Sequence, residues 1–164
     1  NDVTLTTEEG GVDDIDGIEN FVLTSGNDTI DINTDAFSHF TKIDGGAGYE
    51  DRVNVSGTGG DSLTKQGLDG FQFASLFTNI NELDFTNTEL SDMDKFTIGN
   101  DEIDDIVGAA GGNLHIYVSA TIDRTNDFAL EQSSASVSSD QDNGTTTRTI
   151  DWENGSRLTI ETVS

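Results

Sequence analysis

The amino-acid sequence predicts an all-β fold, an irregular β-solenoid of stacked turn–strand units that ends in an antiparallel hairpin or small sheet. Two observations favour this fold class. Apolar and polar residues alternate over short runs, and clusters of Gly, Asn, Asp and Ser separate these runs. No segment longer than about ten residues shows convincing helical periodicity. A β-sandwich is the alternative arrangement for such strands.

Seven apolar–polar runs predict strands, at 21–23, 29–32, 52–55, 82–85, 114–118, 149–152 and 158–160. The first four belong to turn–strand rungs that we expect over about residues 10–110, because repeated units of this kind bury their apolar faces on one another. The remainder, 111–164, is expected to be antiparallel, since Asn154-Gly155 between alternating runs is a strong hairpin signal. The Ser/Thr-rich stretch 131–147 predicts a mobile loop or an edge hairpin. We expect one domain over 1–164, cut from a longer polypeptide.

The segment 43–53 carries the most specific chemistry and reads IDGGAGYEDRV. It is close to the calcium-binding nonapeptide G-G-x-G-x-D-x-U-x, in which U is a large apolar residue. Glycines permit a tight turn that brings carbonyl oxygens together, and the following Asp51 supplies a charged oxygen. Such oxygen-rich turns suit Ca²⁺. The segment departs from the pattern because two residues, Tyr49 and Glu50, stand where the repeat has one.

A second feature is an internal repeat. The sequence GNDTID at 26–31 returns as GNDEID at 99–104, and we expect both copies to form a turn followed by a short strand. With the segment 43–53 this gives three related units before residue 110. The repeat is too irregular for a long idealised roll.

The candidate calcium ligands are the carboxylates, amide and glycines of these turns. They are Asn27, Asp28, Asp31, Asp44, Gly46, Gly48, Glu50, Asp51, Asp101, Glu102 and Asp104. Several ions are expected. The competing interpretation is that these acids cap turns or are simply solvated. Tyr49 and Arg52 are candidate ligand contacts, although Arg52 would equally serve to neutralise Glu50.

The charge of the chain restricts its partners. There are 32 acidic residues against 7 basic ones, giving a net charge of −25, and there is no Cys. A folded domain this acidic repels itself unless counter-charge is bound, and without disulfides bound metal is the usual staple. The acidity disfavours nucleic acid, whose phosphates would be repelled, and no apolar run is long enough to span a membrane.

The turn sequences SGNDTI at 25–30 and GGAGYED at 45–51 resemble the calcium-binding repeats of RTX proteins. The runs IENF at 18–21 and INELDF at 80–85 are similar to segments of very large RTX adhesins of Gram-negative bacteria. This resemblance covers about residues 15–105. It implies a type I secreted, extracellular, calcium-bound module that is monomeric within a long chain. It also implies a module that binds the C-termini of peptides on a cell surface.

We therefore expect a non-enzymatic, calcium-dependent ligand-binding module. The alternatives are a calcium-stiffened structural spacer and a glycan-binding module. A peptide carboxylate and a vicinal diol would both fit an open calcium position, and the sequence does not choose between them.

Overall fold

The computed structural model describes residues 3–6, 12–14, 20–33, 40–57, 75–88, 96–119, 128–130, 135–142 and 144–163. This part of the chain is mostly β-structure. Its strands are β1 (Val3–Thr6), β2 (Val12–Asp14), β3 (Asn20–Val22), β4 (Thr29–Asn33), β5 (Lys42–Asp44), β6 (Arg52–Gly57), β7 (Phe77–Thr78), β8 (Glu82–Thr88), β9 (Phe96–Ile98), β10 (Asn113–Ser119), β11 (Phe128–Leu130), β12 (Ala135–Asp142), β13 (Thr145–Trp152) and β14 (Arg157–Val163). One helix, α1 (Asn100–Val107), lies between β9 and β10. The all-β prediction is confirmed, and each of the seven predicted runs coincides with a strand.

Most strands belong to one of two sheets. The large sheet has the strand order β12-β13-β14-β10-β8-β6-β4-β1-β2, and the small sheet has the order β3-β5-β7. From β3 to β8 the chain alternates between them, so β4, β6 and β8 are parallel neighbours, as are β3, β5 and β7. Neither sheet closes on itself. A separate two-stranded sheet pairs β9 with β11.

The core lies between the stacked strands and is built from aligned apolar rows. One row crosses the parallel part of the large sheet and contains Ile30, Val53, Leu83, Ile116 and Ile160. A second row crosses the small sheet and contains Phe21, Ile43 and Phe77. All eight residues are buried. Each such side chain contributes roughly 1.5–3 kcal/mol on burial, so the rows fix the register of the strands.

The C-terminal part differs from the prediction in one respect. The hairpin is present, since β13 and β14 pair antiparallel around the turn at 153–156, where Gly155 has a φ of 98°. Strand β12 pairs with β13 and forms an edge of the large sheet. However, β10 is parallel to both β8 and β14, so the parallel stack continues past residue 110 into the part that we expected to be antiparallel.

Helix α1 corrects the predicted repeat. Residues 99–104 were expected to form a turn and a strand, but 100–107 are helical. Ile103 and Ile106, one helical turn apart, are both buried. The helix begins where the Glu102 carboxylate accepts the N–H of Gly99 (2.8 Å), and it ends at Gly108 in the left-handed conformation. No helix in the described part of the chain is long and apolar enough to cross a membrane.

Candidate metal centre

Three turns stack on one another where the chain enters the large sheet. We define the first turn as 24–28, the second turn as 45–51 and the third turn as 79–81; they lead into β4, β6 and β8. The second turn is bonded on both sides. The Arg52 N–H donates to the carbonyl of Asp28 (2.9 Å), and the N–H of Asn81 donates to the carbonyl of Asp51 (3.0 Å).

The residue that precedes each of these strands forms a ladder of side-chain bonds, which we call the Asx ladder: Asp28, Asp51 and Asn81. The N–H of Asp28 donates to Oδ1 of Asp51 (2.9 Å). The N–H of Asp51 in turn donates to Oδ1 of Asn81 (3.4 Å). In both bonds the side-chain oxygen of one ladder residue accepts the backbone N–H of the ladder residue before it. The ladder thus satisfies donors that the turns would otherwise leave unpaired.

Asp51 is the unusual member of this ladder, because its residue exposure is 0%. Oδ1 accepts the ladder bond, but Oδ2 is buried and has no hydrogen-bond partner, the only such carboxylate oxygen in the described residues. Burial raises the pKa of Asp51, and the nearby charges of Asp28 and Asp44 act in the same direction, against the Asp28 N–H, which lowers it. Burial thus disfavours the charged form of Asp51, and no donor compensates its Oδ2.

Glycines and carbonyl oxygens surround the unpartnered oxygen. A Cβ at Gly48 would lie 2.5 Å from Oδ2 of Asp51 and 2.2 Å from the carbonyl oxygen of Gly26. A Cβ at Gly45 would lie 2.9 Å from Oδ2 and 2.1 Å from the carbonyl oxygen of Asn79. Only glycine fits at these two positions, since any side chain would collide with backbone atoms. The carboxylate is therefore held among backbone oxygens from the first and third turns.

The oxygens in this region are of the kinds that Ca²⁺ takes as ligands, namely carboxylate and backbone carbonyl oxygens. Oδ2 of Asp51 and the carbonyl oxygens of Gly26 and Asn79 are the groups that would hold the ion. Within the described residues, no three acidic or histidine side chains form a group that could hold a metal. A site here would consequently depend on backbone oxygens more than on a cluster of carboxylates.

The other predicted residues of the first and second turns link the turns to each other. Asn27 donates through Nδ2 to Oε2 of Glu50 (3.1 Å) and accepts the N–H of Tyr49 (3.4 Å). Asp28 accepts on Oδ2 from the N–H (2.9 Å) and the hydroxyl (2.7 Å) of Thr24. The structure brings these residues together with Asp51, and each already has protein partners.

Asp44 is also close, and it has partners of its own. Its Oδ1 accepts from the N–H of Gly46 (3.0 Å) and from Nδ2 of Asn79 (2.8 Å). Burial alone would raise the pKa of Asp44, but these two bonds and nearby Lys42 outweigh it and lower the pKa. Gly46 itself has a φ of 87°, which its position in the second turn requires.

Four predicted ligands lie elsewhere. Asp31 lies on β4 and accepts from Nδ2 of Asn54 (2.7 Å). Asp101 accepts from Nδ2 of Asn100 (2.7 Å) and Glu102 caps α1, so both serve the start of the helix. The fourth, Asp104, links the helix to the hairpin.

Asp104 accepts four hydrogen bonds. Oδ1 receives the N–H groups of Gly111 (3.0 Å) and Gly112 (3.3 Å) and the hydroxyl of Ser156 (2.7 Å). Oδ2 receives Nδ2 of Asn154 (3.2 Å). Gly112 immediately precedes β10, as Asp51 precedes β6, and its N–H is likewise accepted by a side-chain oxygen, here from the helix.

The two predicted ligand contacts have different surroundings. Tyr49 is 88% exposed at the tip of the second turn. Arg52 lies on β6 and forms ion pairs with Glu82 (3.3 Å) and with Asp84, and its guanidinium lies 4.7 Å from the ring centre of Tyr117. Arg52 therefore has partners within the sheet, whereas the ring of Tyr49 faces solvent.

Asn79 and Asn81 were not among the predicted site residues. Asn81 shares one signal with Asp28 and Asp51, because each directly precedes a strand with alternating apolar residues. Asn79 has a φ of 56°, a conformation that asparagine tolerates better than most residues.

No family model matches the chain, and no curated protein or solved structure shows significant similarity to it.

Proposed function

We propose that the chain is a calcium-dependent ligand-binding module, a β-solenoid whose stacked turns are completed by bound Ca²⁺. One observation carries the proposal: the buried Oδ2 of Asp51, which lies among backbone carbonyls without a hydrogen-bond donor. An unpaired buried charge is costly, and a bound cation removes that cost.

The ladder itself supplies a comparison. Asn81 performs the same task as Asp51, since each accepts the N–H of the preceding rung on Oδ1. Asn81 does so with a neutral amide. The ladder therefore does not require a charge at position 51, and an amide there would avoid burying one. A role in cation binding accounts for the carboxylate.

The wider context of the proposal is an extracellular, type I secreted adhesin, non-enzymatic and monomeric within a longer chain. The resemblance of the turn sequences to RTX repeats supports this context, and so does the net charge of −25 without any Cys. A structural spacer stiffened by calcium is the second candidate. It would need the same metal centre but no ligand site.

Calorimetric calcium titration tests the metal centre. Wild type should bind Ca²⁺, and Asp51→Ala should lose the site that Asp51 provides. Asp140→Ala is the matched control, because it removes the same charge from an exposed position on the edge strand β12. Equal numbers of sites and equal affinities in both variants would show that Asp51 holds no ion.

A further inference from the structure

A groove of about 500 Å³ opens beside the metal centre. Its walls come from the second turn (Gly48 and Tyr49), the third turn (Asn79 and Asn81) and the C-terminal end of α1. The beginnings of β8 and β10 form its floor. This volume lies within the roughly 300–1,000 Å³ range of small-ligand sites. We propose that the groove binds a neutral saccharide, an inference that rests on the proposed role of the chain as a ligand-binding module.

Tyr49 provides an aromatic surface at the edge of the groove. It is the only aromatic residue among the exposed large hydrophobic residues of the described chain. Its backbone N–H donates to Oδ1 of Asn27 (3.4 Å), and the preceding residue, Gly48, is packed closely against Asp51 and the carbonyl of Gly26. The ring therefore projects from a fixed turn. Sugar rings present apolar C–H faces that pack on such an aromatic surface, while the phenol hydroxyl remains available for hydrogen bonding.

Planar amides supply the polar contacts. Asn81 uses Oδ1 in the Asx ladder, which leaves its NH₂ group for a ligand. Asn113 is exposed at the start of β10, and its side chain has no hydrogen-bond partner within the described residues. An amide both donates and accepts hydrogen bonds, as sugar hydroxyls do. The combination of one aromatic face with several amides matches a polyhydroxylated ligand.

The charges around the groove favour a neutral ligand. Glu82 is the one acidic residue among the described residues of the lining, and it is paired with Arg52 (3.3 Å). The C-terminal end of α1 carries the negative end of the helix dipole. Among the described residues that line the groove there is no Lys or Arg. A carboxylate or sulfate ligand would therefore meet a negative field with no basic side chain among the described lining residues, whereas a neutral saccharide meets no penalty of this kind.

The ligand class differs from the peptide carboxylate that the sequence resemblance implies. A peptide C-terminus would need a cationic group at its terminal oxygens. The nearest proposed cation, at Asp51, is buried beneath the second turn, so it would shape the groove without contacting the ligand. Saccharide recognition through Tyr49 and the amides requires no open calcium position.

Saturation-transfer NMR with the calcium-loaded full chain tests the proposal. The probes are maltose, cellobiose, lactose and N,N′-diacetylchitobiose, together with sialyllactose as an anionic comparison. At least one neutral disaccharide should receive saturation at its C–H protons, and sialyllactose should receive less than lactose. Tyr49→Ala should weaken binding roughly tenfold or more. Val137→Ala, an exposed change on β12, should have no effect.

The outcomes separate this proposal from the calcium proposal. Calcium-dependent melting with no saccharide binding would overturn the groove proposal alone, and so would binding that Tyr49→Ala leaves unchanged. Preferential binding of a hexapeptide with a free C-terminus over its amidated form would show that the ligand is a peptide carboxylate and that the saccharide proposal is wrong. Melting that ignores calcium would instead refute the proposed metal centre. Tyr49→Ala should melt like wild type in calcium, which confirms that its loss of binding is local.

Discussion

Asp51→Asn should change the stability of the chain in opposite senses with and without calcium. In chelator, the wild type buries a carboxyl oxygen without a donor, at a cost of about 1–3 kcal/mol. Asparagine keeps Oδ1 for the N–H of Asp28 and replaces Oδ2 with an NH₂ group, which faces the carbonyl oxygens of Gly26 and Asn79. The variant therefore removes the buried charge and supplies two backbone oxygens with a donor.

We expect Asp51→Asn to raise the free energy of unfolding in chelator by about 2 kcal/mol. In a chain of this size 1 kcal/mol corresponds to roughly 2–4 °C, so the melting temperature should rise by about 4–8 °C. In calcium the order should reverse, since an ion present at one hundred times its Kd stabilises the wild type by about 2.7 kcal/mol and the variant loses that gain.

Thermal melts followed by circular dichroism, in chelator and in millimolar calcium, measure both effects. Asp140→Asn is the control, because it makes the same change of charge at an exposed residue and should melt like wild type in both buffers. Two results would refute the reasoning: a variant less stable than wild type in chelator, or a variant that gains as much from calcium as wild type does.

Three further predictions follow. Chelation should lower the melting temperature of the wild type, and magnesium should restore it poorly, since Mg²⁺ demands a compact octahedron and sheds water reluctantly; equal melts in Ca²⁺ and Mg²⁺ would contradict this. Asp104→Ala should lower the free energy of unfolding by about 2–3 kcal/mol, because four donors lose their acceptor. Urea titrations measure this loss. Asp105→Ala, on the exposed face of α1, is the control and should change the free energy of unfolding little. In chelator, wild-type stability relative to Asp51→Asn should rise as the pH falls through the raised pKa of Asp51 towards the ordinary Asp value, because the native state then takes up a proton that the unfolded chain does not. Urea titrations against pH would show no such trend if the Asp51 pKa were unshifted. At more acidic pH, below the ordinary Asp pKa, Asp44 and Asp84 should lose their charge and both proteins should lose stability, because the native state lowers the pKa of these two carboxyls.

The seven predicted strands could be recognised in the sequence because the alternation that produces them is local. A run such as 29–33 alternates apolar and polar residues, and burying Ile30 and Ile32 requires an extended backbone. The hairpin turn at Asn154-Gly155 was predictable for the same reason, since its geometry depends on the residues within it. Strands β5 and β7 were not among the predicted runs, although β3, which is equally short, was found through the run at 21–23.

Helix α1 shows where local similarity misleads. The sequences at 26–31 and 99–104 differ at one position, Thr29 against Glu102. Threonine favours a strand, and Glu102 favours the first turn of a helix, where it accepts the N–H of Gly99. The residues that follow decide the outcome, because Ile106 completes an apolar face only in a helix. Two of the four partners of Asp104, Asn154 and Ser156, lie on a hairpin some fifty residues further on, so these bonds depend on tertiary packing and have no signal in the sequence.

The turns, the helix and the hairpin are one connected structure, and this links the metal centre to the groove. The second turn carries Asp51 at its end and Tyr49 near its tip, so an ion held by Asp51 restrains the segment that presents the aromatic ring. Calcium should therefore slow amide hydrogen exchange at the N–H groups of Asp28, Tyr49 and Asp51, whose acceptors all lie in neighbouring turns. In Asp51→Asn these amides should already be protected in chelator and should not respond further to calcium. Exchange at Tyr49 that ignores calcium in the wild type would mean that the metal centre and the groove are independent, and that the ion has no part in shaping the ligand site.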